Sequence, residues 1–78
     1  MVRVMFTVYR RFFDEIKAGT KNIEYRQDKK PWTSYLDSQP TEAIFVCGRD
    51  RLTREITGVC IGSGGLIEFH LRRKGGGR

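Results

Sequence analysis

Apolar residues alternate with polar ones along most of this chain, and this alternation restricts it to a fold built mainly from β-strands. The pattern is clearest in VRVMFTVY, where the apolar side chains of one strand face are Val2, Val4, Phe6 and Val8. Later stretches repeat it in KNIEYRQ, TEAIFVCG, RLTREITGVCIG and LIEFHLRR. These stretches are rich in β-branched and aromatic residues, which favour strands. The sequence therefore predicts five strands, with Gly58 as a bulge or bend in the fourth.

One early segment, RRFFDEIKAG, follows a different period. Phe12 and Ile16 are four residues apart, and Phe13 and Ile16 are three apart, which is the spacing of one helix face. Gly19 follows as a stop signal, because glycine readily adopts the left-handed conformation that ends helices. We therefore expect a short helix after the first strand, with Phe12, Phe13 and Ile16 packed inward.

The order of these elements predicts the fold class. The polar segment 28–40 contains two prolines and predicts a loop, with a short helical turn around 32–36. One helix after strand one, in a chain of five strands, predicts an α+β, mainly β fold: a small, partly closed five-stranded β-barrel. An open α+β sheet is the alternative. Seventy-eight residues suffice for a single domain; we assign it to 1–74 and expect a disordered tail at 75–78.

The net charge and the two cysteines indicate which partners and cofactors to expect. Fifteen lysines and arginines against nine acidic residues give a formal charge of +6, which favours a polyanion, with nucleic acid first. Cys47 and Cys60 lie in apolar runs, where cysteine is usually a buried hydrophobe, and no CxxC or Cys/His pattern predicts a metal. No cofactor, metal or membrane association is expected, and the cytoplasm is the expected location. The arginines in and just after the turn between the third and fourth strands are expected on a solvated edge: Arg49, Arg51 and Arg54.

The stretch AGTKNIEYRQDK concentrates the polar residues of most interest. On a strand, Glu24 and Arg26 share one face while Ile23 and Tyr25 share the other, and we expect Tyr25 to face the core. The Glu24–Arg26 pair has two interpretations. It is either an exposed ion pair, worth about 0–1 kcal/mol, or part of the polar floor of a cleft, together with Lys21.

The segment FFDEIKAGTKNIEYR resembles the signature of the ASCH domain, a branch of the PUA-like superfamily. The shared elements are an aromatic-rich helix ending in Ile16-x-x-Gly19, then Lys21-x-x-Glu24-x-Arg26 on the next strand. The later run AIFVCGRDRLTREITGVCI is similar to that family's paired strands, so the resemblance extends over most of the chain. It implies a small PUA-like β-barrel, a cleft at the helix–strand junction, and RNA binding.

One similar bacterial group comprises small amidohydrolases that deacetylate N4-acetylcytidine. Their pattern has a lysine at the position of Lys21, a threonine nucleophile at the position of Glu24, and a further glutamate later in the chain. Glu24 departs from that pattern: a carboxylate can act as a base on water but cannot repeat the covalent mechanism of a hydroxyl. Glu55 and Glu68 both remain candidates for the later glutamate.

These observations leave three functional interpretations. The first is a module that binds RNA, a nucleotide or a modified nucleobase, with the ligand-binding residues Lys21, Glu24, Arg26, Tyr9, Arg10 and Trp32. Tyr9 would stack on a base, whereas Trp32 is equally suited to stacking and to capping the core. The second is a small hydrolase, a nucleoside amidohydrolase or a ribonuclease, with Lys21 and Glu24 as the catalytic pair. The third is a protein-interaction module. His70, the only histidine, is expected to be structural.

Overall fold

The computed structural model of the protein describes residues 2–73. The strands and α-helices of this part are β1 Arg3–Thr7, α1 Arg10–Ala18, β2 Ile23–Gln27, α2 Tyr35–Ser38, β3 Glu42–Cys47, β4 Asp50–Ile61 and β5 Leu66–Leu71. A 3₁₀ turn, Trp32–Ser34, precedes α2. Neither helix has the length and apolar character needed to cross a membrane. The tail predicted at 75–78 lies outside the described residues.

The strands form one mixed sheet in the order β1-β3-β4-β5-β2. β1 runs parallel to β3, and the other neighbours are antiparallel. The mainly β class is therefore confirmed, but the sheet is not closed into the predicted barrel, because β1 and β2 are its two edges. The alternative, an open sheet, is the observed arrangement. A side chain reaches across the gap instead: Nη2 of Arg26 on β2 donates to the carbonyl oxygen of Thr7 on β1, at 3.4 Å.

The core lies between the inner face of the sheet and α1. Phe6 stacks on Phe45, with ring centroids 5.2 Å apart, and meets Phe69 edge-on at 4.9 Å. Helix α1 adds Phe13 and Ile16, which are both buried as predicted. Phe12 was predicted to pack inward with them but is only half-buried. The helix ends at Gly19, whose φ of 86° is the left-handed conformation expected there.

A bulge in β4 changes which side chains face the core. The pairing of β4 with β5 shifts register between Ile56 and Gly58, so the predicted irregularity at Gly58 is confirmed. Before the shift, even-numbered side chains such as Ile56 are buried, whereas after it Val59 is buried. Cys60 therefore lies on the outer face and is exposed, and the prediction that it is a buried hydrophobe is wrong.

Among Arg49, Arg51 and Arg54, only Arg54 is buried. Its residue is only 6% exposed, so the expectation of a solvated edge is wrong for it. The guanidinium donates to the carbonyl oxygen of Ile16 at 2.8 Å, to Oδ1 of Asn22 at 2.9 Å, and to the carbonyl oxygen of Arg72. Burial lowers the pKa of Arg54. This side chain joins the end of α1 to the start of β2 and the end of β5.

Replacement of Arg54 by alanine should lower the free energy of unfolding by about 2–3 kcal/mol, because it leaves partly buried acceptors without donors. Urea denaturation followed by circular dichroism measures this change. The matched control is Arg51→Ala on the exposed side of the same strand, expected to change stability by about 0.5 kcal/mol or less. Equal losses in both variants would contradict a structural function for Arg54.

Candidate functional site

Two adjoining clefts lie between α1 and β2. The larger cleft, of about 720 Å³, is bounded by the side of α1 that carries Phe12 and Glu15 and by residues 20–25. The smaller cleft, of about 430 Å³, lies toward the end of β1 and is bounded by residues 7–9 and Arg26. Phe12 and Glu24 line both clefts, so the two clefts meet at these residues, and together we call them the groove.

Glu24 is a buried carboxylate whose two oxygens both face cations. Its residue is 6% exposed. Oε2 accepts from Nε of Arg26 at 2.9 Å and lies 2.7 Å from Nη2 of the same side chain. Oε1 lies 3.6 Å from Nζ of Lys21. The interpretation as an exposed ion pair is therefore wrong, because the carboxylate is withdrawn from bulk solvent and neutralised from both sides.

The pairing of β2 with β5 explains why this face of β2 is the inner one. Glu24 lies opposite Phe69, which is fully buried, whereas Tyr25 lies opposite Glu68 on the outer face. Tyr25 is 47% exposed, so the prediction that it faces the core is wrong. Alternation determined which side chains share a face, but the choice of the buried face came from the partner strand.

Several contacts hold the Arg26 side chain in place. Its Cζ lies 5.0 Å from the ring centroid of Phe6 and 4.9 Å from that of Trp32, in two cation–π contacts. Trp32 itself stacks on Phe6, with centroids 5.5 Å apart. Trp32 therefore packs against the core and holds Arg26 in place, and it does not line either cleft.

Lys21 forms part of the wall of the larger cleft. Its ammonium donates to the carbonyl oxygen of Ile23 and lies over two rings, 5.7 Å from the centroid of Phe12 and 5.4 Å from that of Tyr25. An ammonium has three N–H donors. One is directed to the Ile23 carbonyl, and Nζ lies 3.6 Å from Oε1 of Glu24.

The other predicted ligand-binding residues are placed differently. Tyr9 lines the smaller cleft and is 79% exposed, with its ring 6.3 Å from that of Phe12. Arg10 lines neither cleft: its Nη2 donates to Asp50 at 2.7 Å, and this hydrogen bond raises the pKa of Arg10. The structure thus brings Lys21, Glu24, Arg26 and Tyr9 to the groove and leaves Arg10 and Trp32 outside its lining.

Neither candidate for a later glutamate lines the groove. Glu55 is bound to Arg72 on the surface, at 2.7 Å, and Glu68 lies on the outer face of β5. The additional carboxylate of the larger cleft is Glu15, which the sequence analysis did not single out. Its position three residues after Phe12, on the same side of the helix, was the available signal.

Among residues 2–73, which the structure describes, the groove brings together no group of three potential metal ligands. The group found among these residues lies on the opposite face of the sheet, where Cys60, Glu68 and His70 meet. Comparison of the chain with protein-family models, curated proteins and solved structures found no match.

Arg26→Ala should lower the free energy of unfolding by about 3 kcal/mol, because it removes the closest counter-charge of a buried carboxylate. The matched control on the same strand is Gln27→Ala, at an exposed position, with an expected change of about 0.5 kcal/mol or less. Chemical denaturation of both variants at neutral pH gives the comparison. A loss for Arg26→Ala no greater than for the control would show that the ion pair contributes little.

Proposed function

We propose that this protein is an ASCH-like, cytoplasmic module that binds single-stranded RNA, or the nucleotides and modified bases derived from it, in the groove between α1 and β2. The observation that carries the proposal is the junction of the two clefts at the buried Glu24 carboxylate, with Lys21 on one side and Arg26 on the other. The residues of this junction are also those on which the resemblance to ASCH domains rests.

The chemistry of the groove suits a nucleobase. A carboxylate accepts hydrogen bonds from an exocyclic amine, and the lysine ammonium donates to a base carbonyl or a phosphate. Tyr9 and Phe12 offer ring surfaces beside this polar centre, on which an unpaired base can stack. We therefore expect cytosine and adenine, which carry an exocyclic amine, to be preferred over uracil.

The rigid mounting of Glu24 and Arg26 also favours recognition. Arg26 lies against two stacked rings, and Glu24 is held by Arg26, so both polar groups are oriented before a ligand arrives. Ordering of flexible side chains is a large part of the free-energy cost of binding, and preorganisation reduces it. The net charge of +6 adds a sequence-independent attraction to the phosphate backbone.

The test is fluorescence anisotropy with short oligo-cytidine and oligo-uridine RNAs at low salt. Wild-type protein should bind both, cytidine more tightly, with an affinity that falls as salt rises. Lys21→Met, which keeps the length of the side chain and removes its charge, should weaken binding about tenfold through loss of a charge-assisted donor.

The control for charge is Arg49→Ala, an exposed position outside both clefts. It should weaken the binding of both RNAs to the same small extent, because it removes only a general attraction. Denaturation midpoints of all variants verify that they are folded. Absence of binding of either RNA by the wild type, or equal effects of Lys21→Met and Arg49→Ala, would refute the proposed site.

A hydrolase is the second candidate, favoured by the 3.6 Å separation of Lys21 Nζ from Glu24 Oε1 beside an open cleft. In this case Glu24 would take a proton from water, and the water oxygen would attack the amide carbonyl. The bond from the carbonyl carbon to N4 would then break as Glu24 passes the proton to the leaving nitrogen. Incubation with N4-acetylcytidine should then release cytidine and acetate, measured by chromatography. Glu24→Gln should abolish release while preserving the fold. Turnover that persists in this variant would place the activity at another site.

A further inference from the structure

A cluster of three potential metal ligands lies on the outer face of β4 and β5, away from the groove. Cys60 on β4 is directly opposite Glu68 on β5, and His70 lies two residues further along the same strand face. The bulge in β4 places the Cys60 side chain on this side of the sheet. These residues are brought together by strand pairing, which is why their separation in the sequence did not predict a site.

The ligand atoms have the separations that a small metal ion requires. Sγ of Cys60 lies 3.6 Å from Nε2 of His70 and 4.0 Å from Oε1 of Glu68, and the last two atoms are 2.9 Å apart. Tetrahedral zinc, with bonds of about 2.3 Å to sulfur and about 2.1 Å to nitrogen and oxygen, would separate the same atoms by about 3.4–3.6 Å. Shifts of about half an ångström suffice to complete the geometry.

The arrangement does not fit the alternative of a nucleophilic cysteine. In a catalytic triad the nucleophile and the carboxylate contact different nitrogens of the imidazole, so that a proton can pass from one side. Here Cys60 and Glu68 both approach Nε2 of His70. Three potential donor atoms that lie this close together suit a metal ion better than a triad.

A glycine provides the space for the Glu68 carboxylate. A β-carbon at Gly62 would overlap Oε2 and Cδ of Glu68. The carboxylate therefore occupies the volume that any other residue at position 62 would fill, in the turn between β4 and β5. The space at Gly62 is an observation separate from the ligand distances. It explains how the Glu68 carboxylate can turn toward Cys60 and His70.

We propose that Cys60, Glu68 and His70 bind a divalent transition-metal ion, with zinc as the best match to one sulfur, one nitrogen and one oxygen donor. Cys60 and His70 also line an open depression of about 340 Å³, which leaves the fourth coordination position accessible to water or an exogenous ligand. The thiol loses its proton on binding, because the thiolate is the form that ligates a metal.

The test is titration of the metal-free protein with Co²⁺, which reports thiolate ligation by a sulfur-to-cobalt charge-transfer band, followed by competition with Zn²⁺. Cys60→Ser should remove the band, whereas Cys47→Ser, at the other cysteine, should retain it. His70→Gln and Glu68→Gln should each weaken binding by about tenfold or more. Zn²⁺ should also raise the denaturation midpoint of the wild type and not that of Cys60→Ser.

Gly62→Ala is the most discriminating variant, because it keeps all three ligands and displaces only the Glu68 carboxylate. It should weaken Co²⁺ binding about 10–100-fold while leaving RNA binding in the groove unchanged. Absence of a charge-transfer band, a band that survives Cys60→Ser, or a Co²⁺ affinity unaffected by His70→Gln would overturn the proposal. Because Cys60 is exposed, its serine variant should fold and decide the matter even if Gly62→Ala does not fold.

Discussion

The buried ion pair of Glu24 and Arg26 is the interaction on which the site depends. A carboxylate removed from water is strongly unfavourable unless cations and hydrogen-bond donors replace its hydration shell. Arg26 donates from Nε to one oxygen, which also lies 2.7 Å from its Nη2, and Lys21 lies beside the other oxygen. Arg26 in turn lies against the stacked rings of Phe6 and Trp32. These contacts thereby join β1, the 3₁₀ turn that carries Trp32, and β2 around the Glu24 carboxylate.

The same contacts explain why the groove lies where the sheet is open. β1 and β2 are not hydrogen-bonded to each other, and the guanidinium of Arg26 spans the space between them by its bond to the Thr7 carbonyl. Backbone pairing at this position would have closed the gap between the two edge strands. An open seam bridged by a side chain instead leaves Glu24 at the meeting point of two clefts, where polar groups can reach a ligand.

Several features of the fold and the site followed from local patterns. The spacing of Phe13 and Ile16 predicted the helix, and Gly19 predicted its end. Gly58 predicted an irregularity in β4, and the register shift there confirms it. Other features did not follow, because they depend on contacts between distant segments. The burial of Arg54, which satisfies three acceptors on separate elements, has no local signal. The packing of Trp32 on Phe6 joins segments that are remote in the chain.

The sequence by itself determined the secondary structure and the neighbours of each side chain on its own strand, because both arise from backbone periodicity. Glu24 and Arg26 had to share a face. Only the tertiary structure decided that this face is buried while Tyr25 is exposed, since that choice comes from the pairing of β2 with β5. Likewise, only the bulge in β4 turned Cys60 outward to meet Glu68 and His70. A one-residue change of register exchanges inside and outside, and Gly58 predicted an irregularity without showing which side chains it would turn outward.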